Sequence, residues 1–253
     1  MKKTRNWAFI ALLLLQTMPI VAQEVTEGPD KNVNTGWYVG VQGGTGFAVS
    51  QFTSFGADMT RMGWTAGLHA GYRFNRVISL EAQMAWGRAG LSKRDCCNDY
   101  WLGTDGQYYE VPVAGMNGWN YNDLRSSTGI QSYGLQLNVN LLGFFHATRG
   151  SRWTLDIAPR INATGSKNTF YTLAGDSEVM KNECEWHMGA GGNLQAGYRI
   201  GNNLNVCVYT GMTWLTGNPI DGMPKHLHKA NYIWESGLRL NWFFYNSRKE
   251  AGK

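Results

Sequence analysis

The chain has 253 residues, a formal net charge of +5, a hydrophobic fraction of 43% and a mean hydropathy of -0.34. That length admits one large all-β domain or two smaller ones, and the charge is too small to imply a nucleic-acid partner. Beyond the N-terminus no segment has the roughly 20 continuous apolar residues of a membrane-spanning helix.

In chain order, Lys2, Lys3 and Arg5 precede the apolar run "WAFIALLLL" and the small-residue stretch "MPIVAQ". This is the layout of a secretory signal peptide over 1–22. Residues 23–35 lack periodicity and offer little apolar surface, so they read as a flexible arm.

From Gly36 a two-residue period returns again and again. The predicted strands are 36–48, 60–74, 77–90, 128–145, 153–162, 186–200, 204–214 and 231–244. In the second, Met62, Trp64, Ala66, Leu68, Ala70, Tyr72 and Phe74 oppose Arg61, His69 and Arg73. In the last, Tyr232, Trp234, Leu238, Leu240 and Trp242 oppose Glu235, Arg239 and Asn241.

Alternation by itself suits a soluble sandwich with its apolar face inside. Two features invert it. Aromatic residues gather at both ends of the apolar stripes: Trp37, Tyr72, Phe74, Phe145, Trp153, Tyr198, Trp242 and Phe244 at one level, Phe47, Trp64, Trp86, Trp186, Trp214 and Trp234 at the other. Such belts match the two headgroup layers of a bilayer. Connections also alternate in length, short at 75–77, 146–152 and 201–203, long at 49–60, 91–127, 165–185 and 215–229. The expected fold is an all-β, eight-stranded, antiparallel up-and-down transmembrane barrel over 36–246, its apolar face toward lipid, with 247–253 as a short tail.

An eight-stranded barrel is just wide enough for side chains to fill it. The inward set includes Arg73, Glu81, Asp156, Arg160, Arg199, Glu235 and Arg239, for which a plugging polar network is expected. In the three-residue-turn register Glu81 lies opposite Gly71 and diagonal to Arg73. His69 and His187 point inward, the second with Ser132 near the outer end of the lumen, while Ser236 and Thr210 stand alone on the outward faces. No catalytic residue, cofactor or metal is expected. The loop cysteines Cys96, Cys97 and Cys184 suggest one bridge between Cys184 and either neighbour, with Cys207 reduced inside the barrel. A metal site adding His226 and His228 lacks standard zinc spacing. The 91–127 loop combines Tyr100, Trp101, Tyr108, Tyr109, Trp119 and Tyr121 with carboxylates, which suits a sugar- or protein-binding surface, or rings that pack the loop onto itself.

"GWYVGVQGG", "LHAGYRFNRVISLEAQMAW", "GAGGNLQAGYRIGNNLNVCVYTGMTW" and "SGLRLNWFF" resemble the small outer-membrane β-barrel proteins of Gram-negative bacteria, of OmpA/OmpX-like architecture. The resemblance covers roughly 36–245. It differs from OmpA-type proteins in that only "NSRKEAGK" follows the last strand, in place of a peptidoglycan-binding domain. It implies outer-membrane localisation, outer-membrane lipid around the wall and the barrel-insertion machinery as a partner in biogenesis. The function expected is a non-enzymatic, porin-like cell-envelope scaffold whose loops serve envelope integrity or bind a surface glycan or protein. A narrow pore for small solutes and a lipid-modifying enzyme stay open as alternatives.

Overall fold

The structure, a computed structural model, describes residues 35–56, 59–93, 100–110, 117–148, 151–201, 203–224 and 230–244. The signal peptide, nearly all of the arm, the C-terminal tail, Cys96, Cys97, His226 and His228 lie outside the described residues.

Eight strands form the wall: β1 (Gly36–Val49), β2 (Trp64–Arg73), β3 (Ile78–Ser92), β7 (Leu124–Asn140), β8 (Trp153–Thr172), β10 (Glu185–Ile200), β11 (Leu204–Leu215) and β12 (Tyr232–Phe243). Each pairs antiparallel with its neighbour in the wall, and β12 returns to β1 from Tyr38↔Phe243 to Val49↔Tyr232. The sheet is therefore a closed up-and-down barrel. Closure leaves the wall no free edge.

Alternation sets which side chain goes where. Adjacent residues on β12 show the inversion: Leu238 is 59% exposed and Arg239 is 1% exposed. Aromatic contacts run between strands at both levels, and one of them, Tyr133 to Trp186, reaches from β7 across β8 to β10. Trp37 meets Tyr72 at 5.3 Å and Trp153 meets Tyr198 at 4.9 Å near the short turns. Phe47 meets Trp234 at 6.0 Å and Tyr133 meets Trp186 at 6.1 Å near the long loops.

Two short turns have the predicted parity. Phe74 N donates to Ile78 O across residues 75–77, and Asn75 Oδ1 accepts from both Val77 N and Ile78 N. Ile200 pairs with Leu204, with Gly201 at φ +67, a conformation glycine adopts without strain. The third turn differs from expectation. Strand β7 stops at Asn140, not at 145, because Asn140 Oδ1 accepts from Leu142 N and starts a 3-10 turn, Leu141–Phe144. A second such turn follows at His146–Thr148.

The long-loop side also departs from the predicted boundaries. Strands β7 and β8 continue past the barrel, pairing Leu124 with Thr172, and β9 (Glu178–Lys181) extends that sheet. Much of the expected 165–185 loop is therefore strand. The 91–127 loop holds its own sheet of β4 (Trp101–Gly103), β5 (Tyr108–Tyr109) and β6 (Gly118–Asn120), and then the 3-10 turn Tyr121–Asp123.

Candidate functional site in the lumen and loop cap

The lumen is crossed by side chains from opposite walls. Arg239 on β12 ion-pairs with Glu81 on β3 and donates from Nη1 to Gln195 Oε1 at 3.0 Å. Tyr38 OH donates to the other Glu81 oxygen at 3.0 Å and accepts from Asn138 Nδ2 at 3.3 Å. Gln136 donates to Asn138 Oδ1 at 2.6 Å and accepts from Asn193 at 2.7 Å. Arg160 on β8 pairs with Glu235 on β12 at 3.1 Å. His69 and Asn241 meet at 2.5 Å. Burial of these charges is tolerable because each has an opposite partner, and the Glu81–Arg239 pair has further hydrogen bonds to Tyr38 and Gln195.

Of the predicted lumen set, Glu81, Arg239, Arg160 and Glu235 come together as two ion pairs. The other three do not join them. Arg73 lays its guanidinium over the Phe243 ring at 4.4 Å, and Arg199 donates to Ser151 O at 3.0 Å near the short turns. Asp156 faces inward at 9% exposure. Alternation alone places Tyr38, Asn138 and Gln195 inside, but their convergence on the Glu81–Arg239 pair depends on barrel closure.

The lumen is packed closely enough to require missing side chains. A Cβ on Gly211 would fall 1.7 Å from Asn193 Oδ1 and 2.8 Å from Gly192 O. Gly211→Ala is expected to destabilise by about 1–3 kcal/mol through overpacking, read as a lower urea midpoint in lipid vesicles. An unchanged midpoint would mean that the lumen has slack there.

Above this polar shaft sits an apolar cap. Phe52 from the first long loop, Leu102 and Tyr121 from the second, and Ile220 and Met223 from the fourth pack on Leu91, Leu124, Phe170 and Leu215. Phe52 and Tyr121 meet edge-on at 5.5 Å. Fully buried Asp221 clasps the loops: its carboxylate accepts from Phe52 N at 2.5 Å and Met223 N at 3.1 Å, and its carbonyl accepts from Ser126 Oγ.

The loop rings divide between two faces of the small sheet. Tyr121 is in the cap, and Tyr100 and Trp119 pack against it. Register places Trp101 with Tyr109 and Asn120 on one face, and Leu102 with Tyr108 and Trp119 on the cap side, where Tyr108 lies at the margin, 38% exposed. Tyr109 OH donates to Asp105 Oδ2 at 2.6 Å and Gln107 N donates to Oδ1 at 3.0 Å. These two bonds hold the Asp105 carboxyl below its ordinary pKa, while the same carboxylate raises that of Tyr109.

Ser132 does not meet His187. Its Oγ accepts from Asn162 Nδ2 at 2.8 Å, whereas His187 Nε2 contacts Ser166 Oγ at 2.9 Å and Nδ1 lies 3.3 Å from Thr216 O. Ser166 and His187 are buried beneath the loops at 1% and 2% exposure. Ser236 and Thr210 are not isolated, as their hydroxyls bond each other at 2.8 Å and Trp234 Nε1 donates to Thr210. Cys184 is exposed and Cys207 buried, both free among the described residues. No group of three His, Cys, Asp or Glu suited to a metal occurs among the described residues.

No protein-family model and no curated protein matches the chain. Among solved structures it is similar to Neisserial surface protein A, at 15% identity over 83% of this chain and 98% of that one, with a TM-score of 0.42. Similarity to Ail, the attachment invasion locus protein of Yersinia pestis, is 8% identity over 84% and 100%, with a TM-score of 0.45. For a major outer membrane protein from Thermus thermophilus the values are 11%, 82%, 99% and 0.47.

Proposed function

We propose that this protein is a plugged, non-enzymatic barrel of the bacterial outer membrane, which holds a structured loop assembly at the cell surface. The inversion on the wall carries the reading. A continuous apolar exterior including Trp37, Leu68, Leu135, Ile161, Val208 and Leu238, each between 48% and 63% exposed, is far more apolar surface than a soluble monomer leaves to water. Within the apolar band charge is confined to the inside, and the outward-facing Arg88 and Lys167 lie beyond that band. Lipid satisfies that exterior, and a closed barrel is the one sheet form that leaves no backbone group unpaired in it.

The paired lumen and the apolar cap argue for a plug in place of a pore. Reconstituted in planar bilayers, the protein is expected to give no steady conductance; regular open steps of one size would overturn the plug. The burial of Ser166 and His187 beneath the loops argues against lipid-modifying chemistry, and no mass change in lipid A is expected on expression.

Binding at the surface is assigned to the outer face of the loop sheet, where Trp101, Tyr109 and Asp105 lie together. Excising the whole loop would also remove Leu102 and Tyr121 from the cap, so a face-specific change is the cleaner test. Trp101→Ala with Tyr109→Ala should keep the fast-migrating unboiled band of a folded barrel, yet reduce binding to a glycan array or to purified envelope proteins at least tenfold. Unchanged binding would remove this face from consideration.

A further inference from the structure

One row of the wall runs Trp64, Arg88, Gly129, Lys167 across β2, β3, β7 and β8. All four positions point outward. The next row toward the short turns contains Trp86, Gln131, Gly165 and Trp186, so Arg88 and Lys167 stand in the row of Trp64 and one step beyond Trp86 and Trp186, at headgroup level. The next row outward brings Lys181 opposite Thr169, diagonal to Lys167. Strands lie about 4.8 Å apart, which sets the Arg88 and Lys167 backbones about 10 Å from each other. Only a glycine lies between them: a Cβ on Gly129 would meet nothing nearer than Lys167 O, at 3.7 Å.

Among the described residues the cations of this patch are unneutralised. Arg88 spends Nε on Ser127 Oγ at 2.6 Å, which orients its guanidinium. Its terminal nitrogens, and the Lys167 and Lys181 ammonium groups, pair with no carboxylate among the described residues. Of the described carboxylates on this side, Asp176 is held by Arg125 at 2.9 Å, Glu185 sits opposite Ser166 and accepts from Asn218 Nδ2 at 2.5 Å, Glu178 lies further out opposite Tyr171, and Glu183 is exposed beyond Lys181. A guanidinium fork with two unshared terminal nitrogens is built for a phosphate's oxygens.

We propose that this patch binds the phosphate of an anionic lipid headgroup, taken up between Arg88 and Lys167 over Gly129, with the acyl chains against Trp86, Tyr133 and Leu135 below. This rests on the membrane reading above. Charge complementarity and continuity with the apolar wall select a lipid: free phosphate would use the cations but leave the wall unengaged.

The test is native mass spectrometry of the full chain with bis-phosphorylated lipid A, the same lipid dephosphorylated, and inorganic phosphate. Arg88→Gln and Lys167→Gln should each weaken binding of the phosphorylated lipid about fivefold, at roughly 1 kcal/mol per basic residue beside an anionic surface. Gly129→Asp, which meets no backbone clash, should weaken it at least as much. The dephosphorylated lipid should bind weakly and equally to all variants. Equal affinity of the variants for phosphorylated lipid A overturns the site, and inorganic phosphate binding as tightly as the lipid overturns the lipid assignment. A wild-type chain that never enters bilayers would instead sink the membrane reading, and the proposal with it.

Discussion

Glu81→Leu is expected to destabilise the barrel by about 3–5 kcal/mol, because it leaves the Arg239 charge buried without its counter-ion. Arg239 is 1% exposed, and Gln195 is a neutral partner that offsets little of the lost charge. The Tyr38 hydroxyl also loses its acceptor. The double variant Glu81→Leu with Arg239→Leu should recover most of the loss, since a buried pair replaced by apolar groups is often nearly neutral. Urea titrations in vesicles, followed by tryptophan fluorescence and unboiled gel mobility, measure the cycle. A Glu81→Leu cost below about 1 kcal/mol, or a double variant as unstable as the single, would show that the pair does not hold the lumen together.

On the outer face, Leu240→Arg should cost about 2–4 kcal/mol in a bilayer. Leu240 points outward between Val41 and Val206, well inside the apolar band. The same substitution at Phe244, at the end of the strand, should cost only about 0–1 kcal/mol, because charge penalties fall toward the interface. Equal costs at the two depths would contradict the membrane placement. Gln136→Arg looks from alternation like a milder control, but the structure corrects that expectation. Gln136 is 1% exposed, bonded to Asn138 and Asn193, and opposite Arg160, so an added cation there meets a full lumen and a like charge.

The wall is readable from sequence because period-two patterning and turn parity are local. The Gly71↔Glu81 register follows from three turn residues and holds in the structure. The partner of Glu81 is not readable. Arg73 lies diagonal to it in the hairpin, yet Arg239 reaches it from a strand that becomes a neighbour of β1 only when the barrel closes. Strand extension beyond the barrel is hidden for another reason. The segments Ser126, Ser127, Thr128 and Lys167, Asn168, Thr169 are polar on both faces, so no apolar stripe marks them. Among the loop rings, composition does not separate Tyr121, fully enclosed by the cap, from Trp101 and Tyr109 on the opposite face.

The lumen also bears on how the chain assembles. Hairpins β2–β3 and β10–β11 need only three-residue turns and can form early, whereas the seam between β1 and β12 joins the two ends of the wall. The bonds that tie β12 inward are as remote: 158 residues separate Arg239 from Glu81, and 172 separate Asn241 from His69. Loop-closure entropy must be met before any of them contributes, so folding is governed by high contact order and the ring shuts late and slowly. Until it shuts, β1 and β12 each present an open edge to other chains. Arg239 and Glu81 therefore act as an internal latch that rewards only the closed ring, and weakening them lengthens the interval in which an unfinished barrel can pair with the wrong strand.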